Sequence, residues 1–316
     1  MYQRILVPLD GSELAEQVLP CVRVLASGGK SEVQLIRVME APPSYLADPG
    51  QGRYPHQVSA SLVSHAQDYL QKVSRPLLDA GVRLTLTIEE GSAAPHIIAE
   101  ADKTPDALVA MSTHGRSGIA RLMLGSVTSK VLQGTENPML IVRPHEGGPA
   151  GEVKLDSIVV PLDGSELSEQ SLTHVTELSK ALKLRVILVR VTPSAGEYQH
   201  YMERHYWGAD ATAYFGPYEV FSKRADAEAM DYLYDIRERL WKSDVIRVEE
   251  ELLHGRPADA IVDFARQSPH ALVAMTTHGR SGIGRWVLGS VTDSVLRHSD
   301  NPVLVVRATE LEEKES

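Results

Sequence analysis

The chain has 316 residues, of which 43% are apolar and 23% charged, values typical of a globular protein of about two domains. Its net charge of −10 repels phosphate backbones and argues against nucleic-acid binding. No apolar run reaches the roughly 20 residues of a membrane helix, and the first residues lack a signal-peptide pattern. The single cysteine, Cys21, cannot form an internal disulfide and is expected to be buried, so we expect a cytoplasmic protein without a membrane partner.

In the first half, short apolar runs alternate with helical patterns. Strands are predicted over residues 5–9, 33–38, 83–89, 107–111 and 139–142, and the third of them has the alternation of an edge strand. Helices are predicted over residues 12–26, with Ser12 as the opening residue, over 59–80 and 95–101, and from Gly125 onward.

The second half repeats the first. Residues 4–20 and 157–173 are identical at 12 of 17 positions, and residues 106–143 and 270–307 at 25 of 38. The offset grows from 153 to 164 residues between the two blocks, so the second copy carries about 11 extra residues. A repeat of this length indicates duplication of a whole domain. We predict domains over 1–144 and 157–308, a linker over 145–156 and a disordered tail over 309–316.

Each copy is predicted to be an α/β domain, a doubly wound, five-stranded and mainly parallel sheet flanked by helices. Continuous apolar strands that alternate with helices are typical of this class. Ligands of such sheets bind beyond the carboxyl ends of the strands, where the strand order reverses. The loops after the first and fourth strands are therefore the candidate binding loops.

The loop after the fourth strand has features of a phosphate-binding loop. Nine residues separate Gly115 from Gly125, and the same nine separate Gly279 from Gly289. Glycines let the backbone approach an anion, and the helix that follows offers free N–H groups. The loop has neither the Gly-Lys-Ser/Thr of a Walker A loop nor the GxGxxG fingerprint. The alternative interpretation is that these glycines only make tight turns.

The sequence HGRSGxxRxxLGSVT, followed by NPVLVVR and preceded by VPLDGSE, resembles the universal stress protein family. The chain is similar to its tandem members over nearly all of both copies. The resemblance implies a fold related to the adenine nucleotide α-hydrolases. It also implies ATP or a related adenine nucleotide as a regulatory ligand, with little or no hydrolysis, and leaves an accompanying Mg²⁺ open.

The family's phosphate motif, Gly-x-x-Gly, nine residues, then Gly-Ser/Thr, matches both copies except at its first glycine. Ser112 and Thr276 stand there, and a Cβ at that point could crowd the ligand, less so with serine, which favours the first copy. The nucleotide-binding residues that the resemblance implies are Pro8, Asp10, Val38, Ser112, Gly115, Arg116, Gly118, Gly125, Ser126 and Val127 in the first copy, and Pro161, Asp163, Val191, Thr276, Gly279, Arg280, Gly282, Gly289, Ser290 and Val291 in the second.

Two residue types within these loops have alternative roles. Asp10 and Asp163 either accept hydrogen bonds from the nucleoside or cap the following helix. His114 and His278 either act as general acids or phosphate ligands, or brace the loop through local hydrogen bonds, which we favour.

The segment between Pro193 and Arg224, where the second copy is longer, holds 8 of the chain's 17 aromatic residues, from Tyr198 to Phe221. Such side chains suit a lid or an interface, or a satellite cluster on the sheet. His200, Glu203 and His205 match no strong metal-site spacing. The apolar fifth strands would lie at sheet edges and could pair within the chain or in a homo-oligomer.

The sequence is compatible with three functions. The favoured one is a stress-response protein that binds an adenine nucleotide, at most a slow ATPase. The alternative is a nucleotide-free scaffold or interaction module whose phosphate loops are vestigial. An enzyme of the related hydrolase group is disfavoured, because the SGGxDS loop of its adenylating members is absent.

Overall fold

The structure is a computed structural model and describes residues 2–27, 31–40, 55–113, 124–145, 153–205, 217–278 and 288–309. The chain divides into two compact units, Met1–Lys154 and Leu155–Ser316. No helix among the described residues combines the length and the apolar character needed to cross a membrane.

The first unit contains a five-stranded sheet with helices between its strands. Its strands are β1 (Arg4–Pro8), β2 (Glu32–Met39), β3 (Arg83–Glu90), β4 (Ala107–Ser112) and β5 (Met139–Val142). Its helices are α1 (Glu13–Glu16), α2 (Leu19–Ser27), α3 (Pro55–Asp79), α4 (Ala93–Asp102) and α5 (Ser126–Gly134).

Among its described residues, the second unit repeats this order with one additional helix. Its strands are β6 (Ser157–Pro161), β7 (Arg185–Thr192), β8 (Val248–His254), β9 (Ala271–Thr276) and β10 (Val303–Val306). Its helices are α6 (Glu166–Glu169), α7 (Ser171–Leu182), α8 (Ala195–His205), α9 (Tyr218–Lys242), α10 (Pro257–Arg266) and α11 (Ser290–His298).

Within the first unit the strand order is β3-β2-β1-β4-β5, and within the second it is β8-β7-β6-β9-β10. The pairs β1–β2, β1–β4 and β4–β5 are parallel, as are β6–β7, β6–β9 and β9–β10. The doubly wound α/β prediction is therefore confirmed for both copies. The strand order reverses beside β1 and β6, and their carboxyl ends form the crevice in which such folds bind ligands.

The core of each unit lies along its central strands. Every residue of β4 and of β9 is buried, as expected for strands covered on both faces. β3 has only exposed and partly buried residues and lies at the end of the strand order, which agrees with the predicted edge strand. Cys21 is buried as predicted, and burial raises the pKa of its thiol to about 12.

The predicted helix over residues 12–26 was wrong, because the structure has two helices there, α1 and α2. Pro20, in the first turn of α2, has no N–H to continue the ladder of α1. The break recurs between α6 and α7, where Thr173 takes the place of Pro20, so proline is not its only cause. The next predicted helix also begins earlier than residue 59, since α3 starts at Pro55.

A glutamine at each break binds the chain beyond the last strand of its unit. The Gln17 side chain donates to the carbonyl oxygen of His145 at 3.0 Å and accepts from its N–H at 2.8 Å. Gln170 makes the same pair with Thr309, at 2.6 and 2.9 Å. Each unit thus fixes the chain as it leaves the sheet.

Candidate functional site

A cavity of about 360 Å³ opens at the carboxyl ends of β1, β2 and β4 in the first unit. Its place is the point where the strand order reverses. It is lined by Pro8, Leu9, Asp10, Ala15, Ile36, Val38, Glu40, Ala93, Ile97, Met111, Ser112, Gly125, Ser126, Val127 and Thr128. The two loops singled out from the sequence therefore reach a single cavity.

A larger cavity of about 620 Å³ occupies the equivalent place in the second unit. Pro161, Asp163, Val191, Thr276, Gly289, Ser290 and Val291 line it in the same arrangement. Both volumes lie within the roughly 300–1,000 Å³ of small-molecule sites. The order of the volumes is opposite to the preference for the first copy that Ser112 and Thr276 suggested.

In the first binding loop, the aspartate positions the residue that caps the helix. Asp10 Oδ1 accepts from the N–H of Ser12 at 2.9 Å and from its hydroxyl at 2.6 Å. Ser12 Oγ in turn accepts from the N–H of Ala15 and is the N-cap of α1. Asp163 and Ser165 make the same contacts at 3.0 and 2.6 Å. The helix cap is thus the serine, and the aspartate fixes that serine while lining the cavity.

An arginine from the neighbouring strand lies over the glycine of this loop. Gly11 has a φ of +84°, and a Cβ there would clash with Nη1 of Arg37. Gly164 has the same φ, and a Cβ would lie 2.8 Å from Nη1 of Arg190. Only glycine suits both the left-handed backbone and the guanidinium above it.

Each of these arginines stacks on a half-buried tyrosine. The Arg37 guanidinium lies 4.8 Å from the ring centroid of Tyr69, and Arg190 lies 4.7 Å from that of Tyr232. Such cation–π contacts contribute about 0.5–2 kcal/mol. Burial raises the pKa of Tyr69 and Tyr232, and the negative charge of a nearby glutamate, Glu16 or Glu169, raises it further. The pair connects the binding loop to the long helix, α3 or α9, that covers the sheet.

The second binding loop is closed by backbone hydrogen bonds at its base. After β4, the N–H of Thr113 donates to the carbonyl oxygen of Val142 at 2.9 Å. The N–H of Gly125 then donates to the carbonyl oxygen of Thr113 at 2.7 Å, and Thr128 Oγ1 donates to the carbonyl oxygen of Ser112 at 3.0 Å. A Cβ on Gly125 would lie only 2.7 Å from the Thr113 oxygen, so this position requires glycine.

The second unit closes its loop in the same way. Gly289 donates to the Thr277 oxygen at 2.8 Å, and a Cβ there would lie 2.9 Å from that oxygen. Thr276 is buried, and its hydroxyl donates to the carbonyl oxygen of His278 at 2.6 Å. His278 Nδ1 lies at hydrogen-bond distance, 3.1 Å, from Thr277 Oγ1, the local contact expected of a histidine that braces its loop.

The helices that begin after these glycines carry no side-chain cap. Gly125 and Gly289 are the N-cap residues of α5 and α11, and neither has a side chain to accept from the first turn. Ser126, Val127, Ser290 and Val291 line the cavities. The first-turn N–H groups of a helix lack partners within the helix and carry partial positive charge. This end of each cavity therefore suits an anion such as phosphate.

The sequence profile described as the Universal stress protein family matches residues 1–143 and 154–307. The chain belongs to the universal stress protein family. It is 29% identical to a universal stress protein of Methanocaldococcus jannaschii over 143 residues, 45% of this chain and 83% of the relative. It is 24% identical to one of Mycolicibacterium smegmatis over 246 residues, 77% of this chain and 76% of the relative.

The fold agrees with solved structures of the family. A universal stress protein from Archaeoglobus fulgidus superimposes with a TM-score of 0.66 at 19% identity, over 97% of this chain and 99% of that chain. A universal stress protein from Pseudomonas aeruginosa gives 0.63 at 16% identity, over 97% and 94%. The resemblance read from the HGRSG and NPVLVVR motifs is thus confirmed, as is the tandem arrangement of two such domains.

In this universal stress protein, the described residues of the predicted site come together. Pro8, Asp10, Val38, Ser112, Gly125, Ser126 and Val127 share one cavity, and their seven counterparts share the other. Gly115, Arg116, Gly118, Gly279, Arg280 and Gly282 lie outside the described residues, as does His114. Nucleotide contact by any of these residues stays a prediction. Within the described part of the chain, no three His, Cys, Asp or Glu residues are grouped as a metal site would need.

Sequence reasoning missed the stacked Arg37 and Tyr69, and Arg190 and Tyr232. A signal was present, because a charged residue stands within an apolar strand at the same place in both copies. The tyrosines gave no comparable signal. Each lies in a long helix, and it meets its arginine only when that helix packs against the sheet.

Proposed function

We propose that each unit of this universal stress protein binds an adenine nucleotide, ATP or a close relative, as a regulatory ligand. In each unit a cavity lies between a helix N-terminus that has no side-chain cap and the loop that carries Asp10 or Asp163. This observation carries the proposal. A nucleotide has phosphates at one end and hydrogen-bond donors on its ribose and base at the other. The two ends of each cavity offer the complementary groups.

The phosphate end is at α5 and α11. Free N–H groups of Ser126 and Val127, and of Ser290 and Val291, supply donors, and the helix dipole adds favourable potential. The glycine before each helix lets the phosphates approach the backbone without a Cβ in the way.

The nucleoside end is at the loops that follow β1 and β6. Asp10 and Asp163 line the cavities, and a carboxylate accepts hydrogen bonds from hydroxyl or amino groups. The apolar side chains of Val38 and Ile97, and of Val191 and Ile261, offer an apolar surface for a base.

The first cavity's described lining does not favour hydrolysis. Its titratable side chains are Asp10 and Glu40, which follow β1 and β2. The phosphate end follows β4, so neither carboxylate stands where a dedicated ATPase would orient a water at the terminal phosphate.

The proposal is tested on the full-length protein by mass spectrometry of nucleotides released on heating, together with thermal shift on adding ATP. We expect a released adenine nucleotide, or a rise in Tm with ATP that the double variant Gly125→Val with Gly289→Val does not show. An empty protein whose Tm ATP leaves unchanged would contradict the proposal.

A second candidate function, an interaction module, is favoured by exposed apolar side chains on one helix. On α9, Tyr234 is 51% exposed and Trp241 44% exposed. If this surface recruits a partner, the variant Tyr234→Ser with Trp241→Ser loses that partner while the double glycine variant keeps it. The reverse result favours the nucleotide as the functional ligand.

A further inference from the structure

The two cavities differ on the side of the long helix that covers the sheet. In the second unit, Phe221, Ala225 and Glu228 of α9 line the cavity, together with Pro193. In the first unit, none of the described side chains of α3 lines the cavity, and Glu40 stands where the second unit has Pro193. Among the described residues, the larger volume, about 620 against 360 Å³, coincides with this lining from α9. We call Pro193, Phe221, Ala225 and Glu228 the α9 annex.

The wall of the annex is fixed by the segment in which the second copy is longer. Where α8 begins, the side chains of Ser194 and Glu197 each accept a hydrogen bond from the backbone N–H of the other residue. Tyr198 of α8 is 7% exposed, and its ring centroid lies 4.6 Å from that of Phe221. Tyr198 also packs against Tyr218 at 5.7 Å. These aromatic contacts form a cluster that holds Phe221 at the cavity.

Two hydrogen bonds anchor this cluster to the end of β7. The hydroxyl of Tyr218 donates to the carbonyl oxygen of Pro193 at 3.2 Å. The hydroxyl of Thr192 donates to Asp226 Oδ1 of α9 at 2.8 Å. Because β7 and α9 are joined here, the annex is an ordered extension of the cavity.

The position of the annex indicates which part of a ligand it meets. The phosphate end of the cavity follows β9, whereas the annex follows β7, and β6 lies between these strands. A nucleotide whose phosphates lie on α11 therefore directs its base toward the annex. This step rests on the function proposed above.

We infer that the second unit selects an adenine nucleotide enlarged by an apolar ring on its base, which the first unit does not accommodate. Phe221 and Ala225 provide the apolar surface, and aromatic rings pack favourably at the edge or offset face of a phenylalanine. Glu228, which pairs with Arg224 at 2.8 Å, offers a carboxylate to an N–H on the added group.

The test measures the Kd of ATP and of N6-benzyl-ATP for single-site forms of the full chain. Gly125→Val leaves the second site, and Gly289→Val leaves the first. We expect the second site to bind N6-benzyl-ATP about tenfold more tightly than ATP, as burial of a phenyl ring allows. The first site is expected to bind it more weakly than ATP.

Two further variants separate the annex from the nucleotide site. Ala225→Leu fills the annex without touching the aromatic cluster, and Phe221→Ala removes its apolar wall. Both are expected to abolish the preference, so that the Kd values of ATP and N6-benzyl-ATP for the second site become equal within about twofold. If the second site with its native annex binds the two nucleotides with equal Kd values, the role proposed for the annex is overturned and nucleotide binding stands. Binding of neither nucleotide at either site would overturn the proposed function and the annex together.

Discussion

The N–H of Gly125 donates to the carbonyl oxygen of Thr113 at 2.7 Å, and this bond closes the loop between β4 and α5. Gly289 and Thr277 make the same bond at 2.8 Å. Each bond places a helix N-terminus against the end of a buried strand, so the donors of the first turn face the cavity rather than the core. The phosphate end of the proposed site depends on this closure.

The closure predicts that Gly289→Ala lowers the unfolding free energy of the protein, although alanine is small. A Cβ would lie 2.9 Å from the Thr277 oxygen, so either the helix or the strand end must shift. We expect a loss of about 1–3 kcal/mol in unfolding free energy, as for overpacked positions, measured by urea denaturation. The affinity of the second site for ATP should fall about tenfold, the effect of losing about one charge-assisted hydrogen bond.

The matched control is Gly196→Ala, where no atom lies within 4 Å of the added Cβ. It lies in the first turn of α8, where alanine is the better helix former. Gly196→Ala should therefore keep or slightly raise the unfolding free energy. A Gly289→Ala protein as stable as this control would refute the close approach.

The loop that carries Asp163 and Ser165 predicts that substitutions can separate helix capping from ligand binding. Ser165→Ala removes the N-cap of α6 and should cost about 1 kcal/mol of unfolding free energy with little change in ATP affinity. Asp163→Asn keeps an oxygen that can accept from Ser165, so stability should change less, whereas the loss of charge should weaken ATP binding. Urea denaturation and the Kd of ATP for the Gly125→Val form measure the two effects. If Asp163→Asn lowers stability and leaves the Kd unchanged, the aspartate only supports the helix.

The half-buried Tyr69 and Tyr232 predict a loss of stability at alkaline pH. Burial, reinforced by Glu16 and Glu169, raises the pKa of Tyr69 and Tyr232 in the folded state, whereas an unfolded tyrosine titrates near about 10. Above that pH the unfolded chain releases protons that the folded chain retains, so the unfolding free energy falls as pH rises. Below it, this contribution is fully present.

Urea denaturation between pH 8.5 and 10.5 measures this slope. The double variant Tyr69→Phe with Tyr232→Phe should show a shallower fall than the wild type. Tyr234→Phe, which changes a tyrosine that is 51% exposed, should keep the wild-type slope. Identical slopes in all three proteins would contradict the half-buried, acid-flanked environment of the two phenols.

The sequence predicted the elements whose signal is local. The runs that became β4 and β9 are continuously apolar because both faces of these strands are covered, and Ser12 was recognisable as a helix cap. The break between α1 and α2, just before Pro20, was not predicted, because proline is not its only cause. Gln17 sits at that break and bonds to His145, 128 residues away, a contact that no local pattern reveals.

The site was predictable to the extent that topology determines it. Parallel strands bring their carboxyl ends to one edge, so Asp10 and Gly125 had to meet near the strand-order reversal. The stacking of Arg37 on Tyr69 depends on how α3 crosses the sheet. The annex depends on the packing of Tyr198 against Phe221, where sequence offered only an excess of aromatic residues.

Equilibrium dialysis of labelled ATP against the full chain tests the central claim most directly, because it counts the bound nucleotide. Two similar cavities predict two ATP molecules per wild-type chain, one in Gly125→Val, one in Gly289→Val and none in the double variant. Bound ATP that persists unchanged in the double variant, or a wild-type chain that retains none at millimolar ATP, would contradict nucleotide binding at these helix N-termini.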